Sequence, residues 1–193
     1  MRSVKLERET KETQVECELN LDGEGKASVN TGIGFFNHML ELLAFHSGMN
    51  LYLRADGDLD VDDHHTIEDC GILLGKVMRK ALGDRAGIAR YGSFTLPMDE
   101  TLASVDLDIS GRPYLVFNCE FKRDQIGMMA TETVEEFLRA FAFQAGITLH
   151  VNVHYGNNDH HKAEAIFKAL GRALRAAVKV SGDKIPSTKG MLE

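Results

Sequence analysis

The chain has 193 residues, 44% of them hydrophobic and 26% charged, with a formal charge of −7. That length suits one domain or two small fused halves. The acidic balance excludes a sequence-independent grip on nucleic acid, which needs a basic surface.

Membrane and export readings also find no support. No apolar run approaches a membrane span, and the start Met1-Arg2-Ser3-Val4-Lys5-Leu6-Glu7-Arg8 is too charged for a signal peptide. A cytoplasmic protein is expected. In chain order, Val15, Cys17, Leu19 and Leu21 fall on every second residue, as a half-buried strand requires. Gly32-Ile33-Gly34 is a turn before a helix, not a nucleotide loop, because the rest of that fingerprint is missing. Phe35 to Phe45 is apolar at helical spacing. Asp56-Gly57-Asp58 and Asp60-Val61-Asp62 read as a solvated acidic loop. A second helical stretch runs through Ile72 to Leu82, and Gly83-Asp84-Arg85-Ala86-Gly87 breaks it. Leu102, Val105, Leu107 and Ile109 nearly alternate, and Tyr114 to Phe117 is β-prone after the Gly111-Arg112-Pro113 turn. Val134 to Phe143 and Ile166 to Val178 repeat the helical period. Cys17, Cys70 and Cys119 are far apart and show no metal-type spacing; they read as small buried residues of a reducing cytosol.

The chain is internally repeated. Ala44-Phe45-His46-Ser47-Gly48-Met49-Asn50-Leu51 lies over Ala142-Phe143-Gln144-Ala145-Gly146-Ile147-Thr148-Leu149. After a small slip, His64 falls on His160 and Glu68 on Glu164. The expected fold is α+β: an internal duplication of a β-β-β-α-β-α half-domain, each half a mostly antiparallel four-stranded sheet with two helices on one face. Residues 1–86 form the first half-repeat and 87–193 the second, which carries a C-terminal tail at 181–193. Each half alone is too small for a generous core, so the two are expected to pack as one compact unit.

The chemistry sits in a doubled word. His64-His65-Thr66-Ile67-Glu68 and His160-His161-Lys162-Ala163-Glu164 both read His-His-x-x-Glu, each preceded by an aspartate, Asp63 or Asp159. In the first turns of a helix the first histidine and the glutamate, four apart, share a face and can chelate one ion. The second histidine is rotated by about 100° and faces another. Pairing across the halves would then give His64/Glu68 with His161, and His160/Glu164 with His65. Two imidazoles and a carboxylate suit Mn, Fe or Zn better than Mg or Ca. A single His-His pair is usually a surface accident; two aligned copies with the same carboxylate spacing favour metal. His38 aligns with Glu136 on the preceding helices, which adds a further donor position to each half.

Gly34-Phe35-Phe36-Asn37-His38-Met39-Leu40, Asp62-Asp63-His64-His65-Thr66-Ile67-Glu68-Asp69, Pro97-Met98-Asp99-Glu100, Asp108-Ile109-Ser110-Gly111-Arg112-Pro113 and Ser187-Thr188-Lys189-Gly190 together resemble the imidazoleglycerol-phosphate dehydratases nearly end to end. The resemblance implies a hydro-lyase of histidine biosynthesis that converts imidazole glycerol phosphate to imidazole acetol phosphate through a metal-bound imidazolate or diazafulvene intermediate. It implies two Mn(II) ions per active site and a homo-oligomer of 24 subunits with active sites between them. One ion would be held by His38, His65, His160 and Glu164, the other by His64, Glu68, Glu136 and His161. Many members have histidine where this chain has Glu136. By the same resemblance Glu12 is the proton acceptor, and Glu12, His46, Arg90, Arg112, Lys168, Ser187, Thr188 and Lys189 contact the phosphate substrate, with the tail as a flexible closure. The rival readings are a two-metal phosphate-ester hydrolase and a non-catalytic metal-assembled protein, whose ions would be coordinatively closed.

Overall fold

The computed structural model describes residues 2–190 and 192. The first half supplies β1 (Ser3–Glu9), β2 (Thr13–Asn20), β3 (Ala27–Asn30), α1 (Gly34–Ser47), β4 (Asn50–Gly57) and α2 (His64–Leu82). The second supplies β5 (Tyr91–Met98), β6 (Thr101–Asp108), β7 (Tyr114–Asn118), a short hairpin of β8 (Gln125–Ile126) and β9 (Met129–Ala130), then α3 (Thr133–Ala145), β10 (Thr148–Tyr155) and α4 (Asp159–Ala177). The two large sheets have the same order, β1-β2-β4-β3 and β5-β6-β10-β7. Each has two antiparallel pairings and one parallel one, β3 on β4 and β7 on β10. The expected duplicated α+β fold is therefore observed, and the β8–β9 hairpin is an addition that the repeat did not announce.

Alternation explains the sheets. In β2 every second residue, Thr13, Val15, Cys17 and Leu19, is buried beneath the helices. Helices α1 and α3 end alike: Gly48 and Gly146 adopt left-handed φ of 76° and 69°, and their backbone N–H groups close back on Ala44 and Ala142. A side chain at either position would be strained.

The four helices lie between the sheets, and they pair across the halves: α1 packs on α4, and α2 on α3. Glycines permit both crossings. A Cβ on Gly75 would lie 2.6 Å from the Phe141 carbonyl oxygen, and one on Gly171 would lie 2.9 Å from the Leu43 carbonyl oxygen. Gly75 and Gly171 are repeat partners, as are the residues they touch. Where the helices meet, the Phe137 ring stacks on Phe167 at 5.5 Å and meets Phe36 edge-on at 5.3 Å. One continuous hydrophobic core therefore draws on both halves. Among the described residues no helix is long and apolar enough to cross a membrane.

The chain after α4 turns back on the segment that joins the halves. Ala89 and Arg90 donate to Lys179 and Ala177 carbonyls, and Gly87 to that of Lys184. Cys17 and Cys70 are buried and Cys119 is half-buried, all as free thiols. Burial pushes the Cys17 thiol up to about 12, which removes its nucleophilic thiolate form at neutral pH.

Candidate active site and metal centre

Both His-His words open a helix, but the aspartates before them do not cap it. Asp62 accepts from the His64 N–H at 2.8 Å, and Asn158 accepts from the His160 N–H at 3.0 Å. Asp63 instead accepts from the Ala130 N–H at 2.7 Å, and Asp159 from those of Lys122 and Arg123 at 2.7 and 2.8 Å. The capping side chain thus lies one residue before the aspartate in each half, and the aspartate itself moors the helix start to a neighbouring loop. Asp159 also pairs with the buried Lys162 at 2.8 Å.

Within each word the two imidazoles splay. Ring centroids of His64 and His65 are 6.2 Å apart with planes at 88°; those of His160 and His161 are 6.2 Å apart at 87°. This is the divergence expected of adjacent helical residues.

The α1–α4 crossing brings three donors together. His38, His160 and Glu164 each offer an atom within 4.8 Å of the other two. Both Nε2 atoms approach the same oxygen, Glu164 Oε1, at 2.9 and 3.0 Å. The other oxygen, Oε2, is 2.6 Å from Lys168 Nζ. The Glu164 side chain is only 9% exposed. Burial pushes its carboxyl up, but the hydrogen bonds of Lys168, His38 and His160 outweigh that and hold it at about 2. The Phe35 ring, 5.0 Å from that of His160, walls one side. Two imidazole nitrogens and an ionised carboxylate converging on one point fit a borderline transition ion.

The counterpart positions on α2 and α3 are His64, Glu68 and Glu136, all half-buried, but among the described residues only the His38 triad has its donor atoms within 4.8 Å of one another. They occupy the repeat positions of the triad on the pseudo-equivalent helix pair. Glu136 lies 3.8 Å from Arg139 Nε.

The second histidine of each word does not join either set inside one chain. His65 Nδ1 is 3.0 Å from Asp58 and 3.9 Å from Glu12. His161 Nδ1 is 2.7 Å from Glu100. The cross-half pairing expected from helix geometry is therefore absent within a subunit, because each second ring faces its own hairpin turn rather than the neighbouring helix. Asp58 is half-buried and engaged, in contrast to the solvated loop expected there. Its hydrogen bond, helped by the charge of Glu12, raises the His65 pKa. Hydrogen bonds from His161 and then from the Asn158 and Asn157 backbones hold the Glu100 carboxyl well below the usual carboxylate range.

The remaining candidates divide into two places. Lys168 sits on Glu164 and reaches Met98 Sδ at 3.4 Å. His46 stands near it; burial, then Lys168 and Arg172, lower its pKa. Arg90, Arg112, Ser187, Thr188 and Lys189 instead line a cleft of about 670 Å³ beside Tyr91. Arg90 is fixed there: two of its nitrogens hold Asp108 at 2.6 and 3.0 Å, and a third donates to the Pro186 carbonyl at 2.8 Å. The tail is thus tethered, with Ser187 to Gly190 closed as a turn, rather than hanging free as its composition suggests. Glu12 is 56% exposed in the β1–β2 turn, where the Thr10 hydroxyl accepts from its N–H.

Sequence reasoning missed Asp58 and Glu100 as partners of the site. Glu100 had a legible signal, since Glu12-Thr13 and Glu100-Thr101 are repeat counterparts at the start of β2 and β6. Asp58 had none, because it lies in the loop where the halves differ in length.

A family model of imidazoleglycerol-phosphate dehydratase matches residues 31–174. The imidazoleglycerol-phosphate dehydratase of Clostridium botulinum strain Alaska E43 is 57% identical over 192 residues, covering 99% of this chain and 98% of its own. That of Azorhizobium caulinodans is 59% identical over 195 residues, covering 100% and 99%. The crystal structure of the Staphylococcus aureus enzyme superposes with a TM-score of 0.85 at 43% identity, covering 93% of this chain and 99% of that one. The Pyrococcus furiosus structure, in complex with (S)-C348, gives 0.85 at 36%, covering 97% and 100%.

Proposed function

The chain belongs to the imidazoleglycerol-phosphate dehydratase family, and from that premise we propose that its active site joins the triad of one subunit to the tail cleft of another. The reaction is the dehydration step of histidine biosynthesis, carried out by a hydro-lyase.

One observation carries the shared site. The cleft lies at the Tyr91 end of β5, whereas Lys168, bonded to Glu164, touches Met98 at the other. At about 3.3 Å per residue, the strand separates them by roughly 20 Å, too far for one small phosphate ester to span. A second chain brings a cleft to the triad. Phe45 and Phe143, repeat partners at 67% and 46% exposure, are apolar surface that such contacts would cover. The reading implies a homo-oligomer of 24 subunits in the cytoplasm, where the free cysteines stay reduced.

Two Mn(II) ions per site fit the donors. His38, His160 and Glu164 would hold one with a His65 from another subunit, and His64, Glu68 and Glu136 the other with a His161. When bound, the ions would supply Lewis acidity and a template for the imidazole ring of the substrate. Arg112, Lys189 and the Ser187 and Thr188 hydroxyls receive the phosphate, while Arg90 keeps the tail in place. Glu12, exposed and tied by no side-chain bond, accepts the carbon-bound proton. His46 and Lys168 face the substrate from the triad side.

The test is subunit mixing. Glu164→Gln breaks the triad and Lys189→Ala the cleft, so each variant alone is nearly inactive. Co-assembled in equal amounts, random mixing restores about one site in four in a symmetric oligomer. No recovery in verified mixed particles would refute a shared site. In the same assay Glu12→Gln should retain its ions and lose most turnover.

A further inference from the structure

We propose that Asp58 and Glu100 are positioning residues: each accepts from the Nδ1–H of a doubled histidine, His65 or His161, and so turns its Nε2 outward as the donor atom for an ion. The inference rests on the metal-binding reading above and assigns roles to two residues outside the ligand sets.

The geometry is unequal in the two halves, and the inequality is informative. Glu100 Oε1 is saturated: it accepts from the Asn157 N–H at 3.0 Å, the Asn158 N–H at 2.8 Å and the Thr101 hydroxyl at 3.1 Å. Only Oε2 faces His161, at 2.7 Å. The three donors on Oε1 favour the ionised carboxylate, which can only accept on Oε2, so the ring proton sits on Nδ1 and Nε2 keeps its lone pair. His38 and His160 also point Nε2 at the Glu164 carboxylate, so all four imidazoles present the same nitrogen. A carboxylate behind a metal-binding histidine is the general device for fixing tautomer and ring orientation.

In the first half the counterpart of Glu100 is Glu12, yet Glu12 stands 3.9 Å from His65 and makes no bond to it. Asp58 takes that place at 3.0 Å. It comes from the loop 58–63, longer than its counterpart 156–158, and no repeat partner exists for it. The longer loop thus relieves Glu12 of the orienting role and leaves its carboxylate free for substrate, whereas Glu100 is fully engaged. Asp58 Oδ1 is buried and accepts no hydrogen bond.

That difference yields opposite outcomes for the same chemical change. In Glu100→Gln the three donors hold the amide oxygen at the Oε1 position, so the NH2 group faces His161 and forces the ring proton onto Nε2. In Asp58→Asn no donor holds the amide oxygen at the Oδ1 position, so the amide turns its oxygen to the ring and keeps the tautomer, at the cost of burying its NH2 group there without an acceptor. Mn(II) titration of the intact protein, with chelator competition, reads this directly. A wild-type protein that binds no Mn(II) would defeat the metal reading before any variant is compared. If it binds, Glu100→Gln should weaken one class of ion by about 10–100-fold, and Asp58→Asn should lose clearly less than Glu100→Gln, because the orientation of the ring is retained. A merely structural Glu100 predicts that the isosteric Gln is silent; wild-type affinity in Glu100→Gln, or an equal loss in both variants, overturns the proposal. Should Glu100→Gln fail to fold, Asp58→Ala against Asp58→Asn carries the test: a tenfold or greater loss in Ala alone supports it, and equal affinities overturn it.

Discussion

Asp159 shows how a single residue near the site serves the fold rather than the chemistry. Its side chain is 1% exposed, and it binds two backbone N–H groups and Lys162, itself 5% exposed. Burial pushes its carboxyl up, but the bonds from Lys162 and the Arg123 and Lys122 backbones prevail and leave it below the ordinary value. A folded pKa below the unfolded one, about 3.9, contributes stability that is present above that pH and lost as pH falls through the folded value. Asp159→Asn takes away the counter-ion of the buried Lys162 ammonium, which keeps only its bond to the Glu120 carbonyl, a change of about 3–5 kcal/mol for such pairs. The thermal midpoint of the variant should therefore fall well below wild type at pH 7, and the gap should close below about pH 4. A gap that persists undiminished in acid would show that the charge is not what matters. The sequence marked Asp159 only as the residue before a His-His word. Its true partners, 36 and 37 positions away, lie in the loop before the β8–β9 hairpin, which no repeat foretold.

At the scale of elements, the helix crossings decide whether donors meet. Period revealed the four helices among the described residues and alternation located β2, β6 and β7, because each element buries one face and the pattern records which. They also placed the first histidine and glutamate of each word on one side of a helix. What they left open was which helices touch. That depends on small residues: Gly75 and Gly171 look like ordinary interior glycines in the sequence, yet each admits a backbone carbonyl of the opposing helix. Gly171→Ala should push α1 away from α4 and with it His38 from Glu164. Overpacking of this kind destabilises by about 1–3 kcal/mol, and Mn(II) retention should fall alongside the thermal midpoint. Gly75→Ala, on the other crossing, should lower the midpoint at least as much while sparing the His38 triad. If both variants lose ions from that triad equally, the crossing is not what sets its geometry.

For the whole molecule, duplication explains both what the sequence disclosed and what it withheld. Two copies of one half gave the word and the expected second donor set, while Glu100, the counterpart of Glu12, went unread. Non-equivalent helices meeting across the halves, α1 on α4 and α2 on α3, then fused the copies around Phe137, so neither is a module with its own private core. The place of the second histidine of each word was not legible, because periodicity records which face a residue lies on and not that the ring rests against Asp58 or Glu100.

The length of β5 has a kinetic corollary. If triad and phosphate cleft belong to different chains, a solitary subunit is silent, and turnover obeys mass action among subunits as well as between enzyme and substrate. Serial dilution at saturating substrate should leave specific activity flat and then bend it downward once particles dissociate, with the bend moving to higher protein concentration as chelator is added. Eight residues of strand would thus set the lowest abundance at which the protein is an enzyme at all.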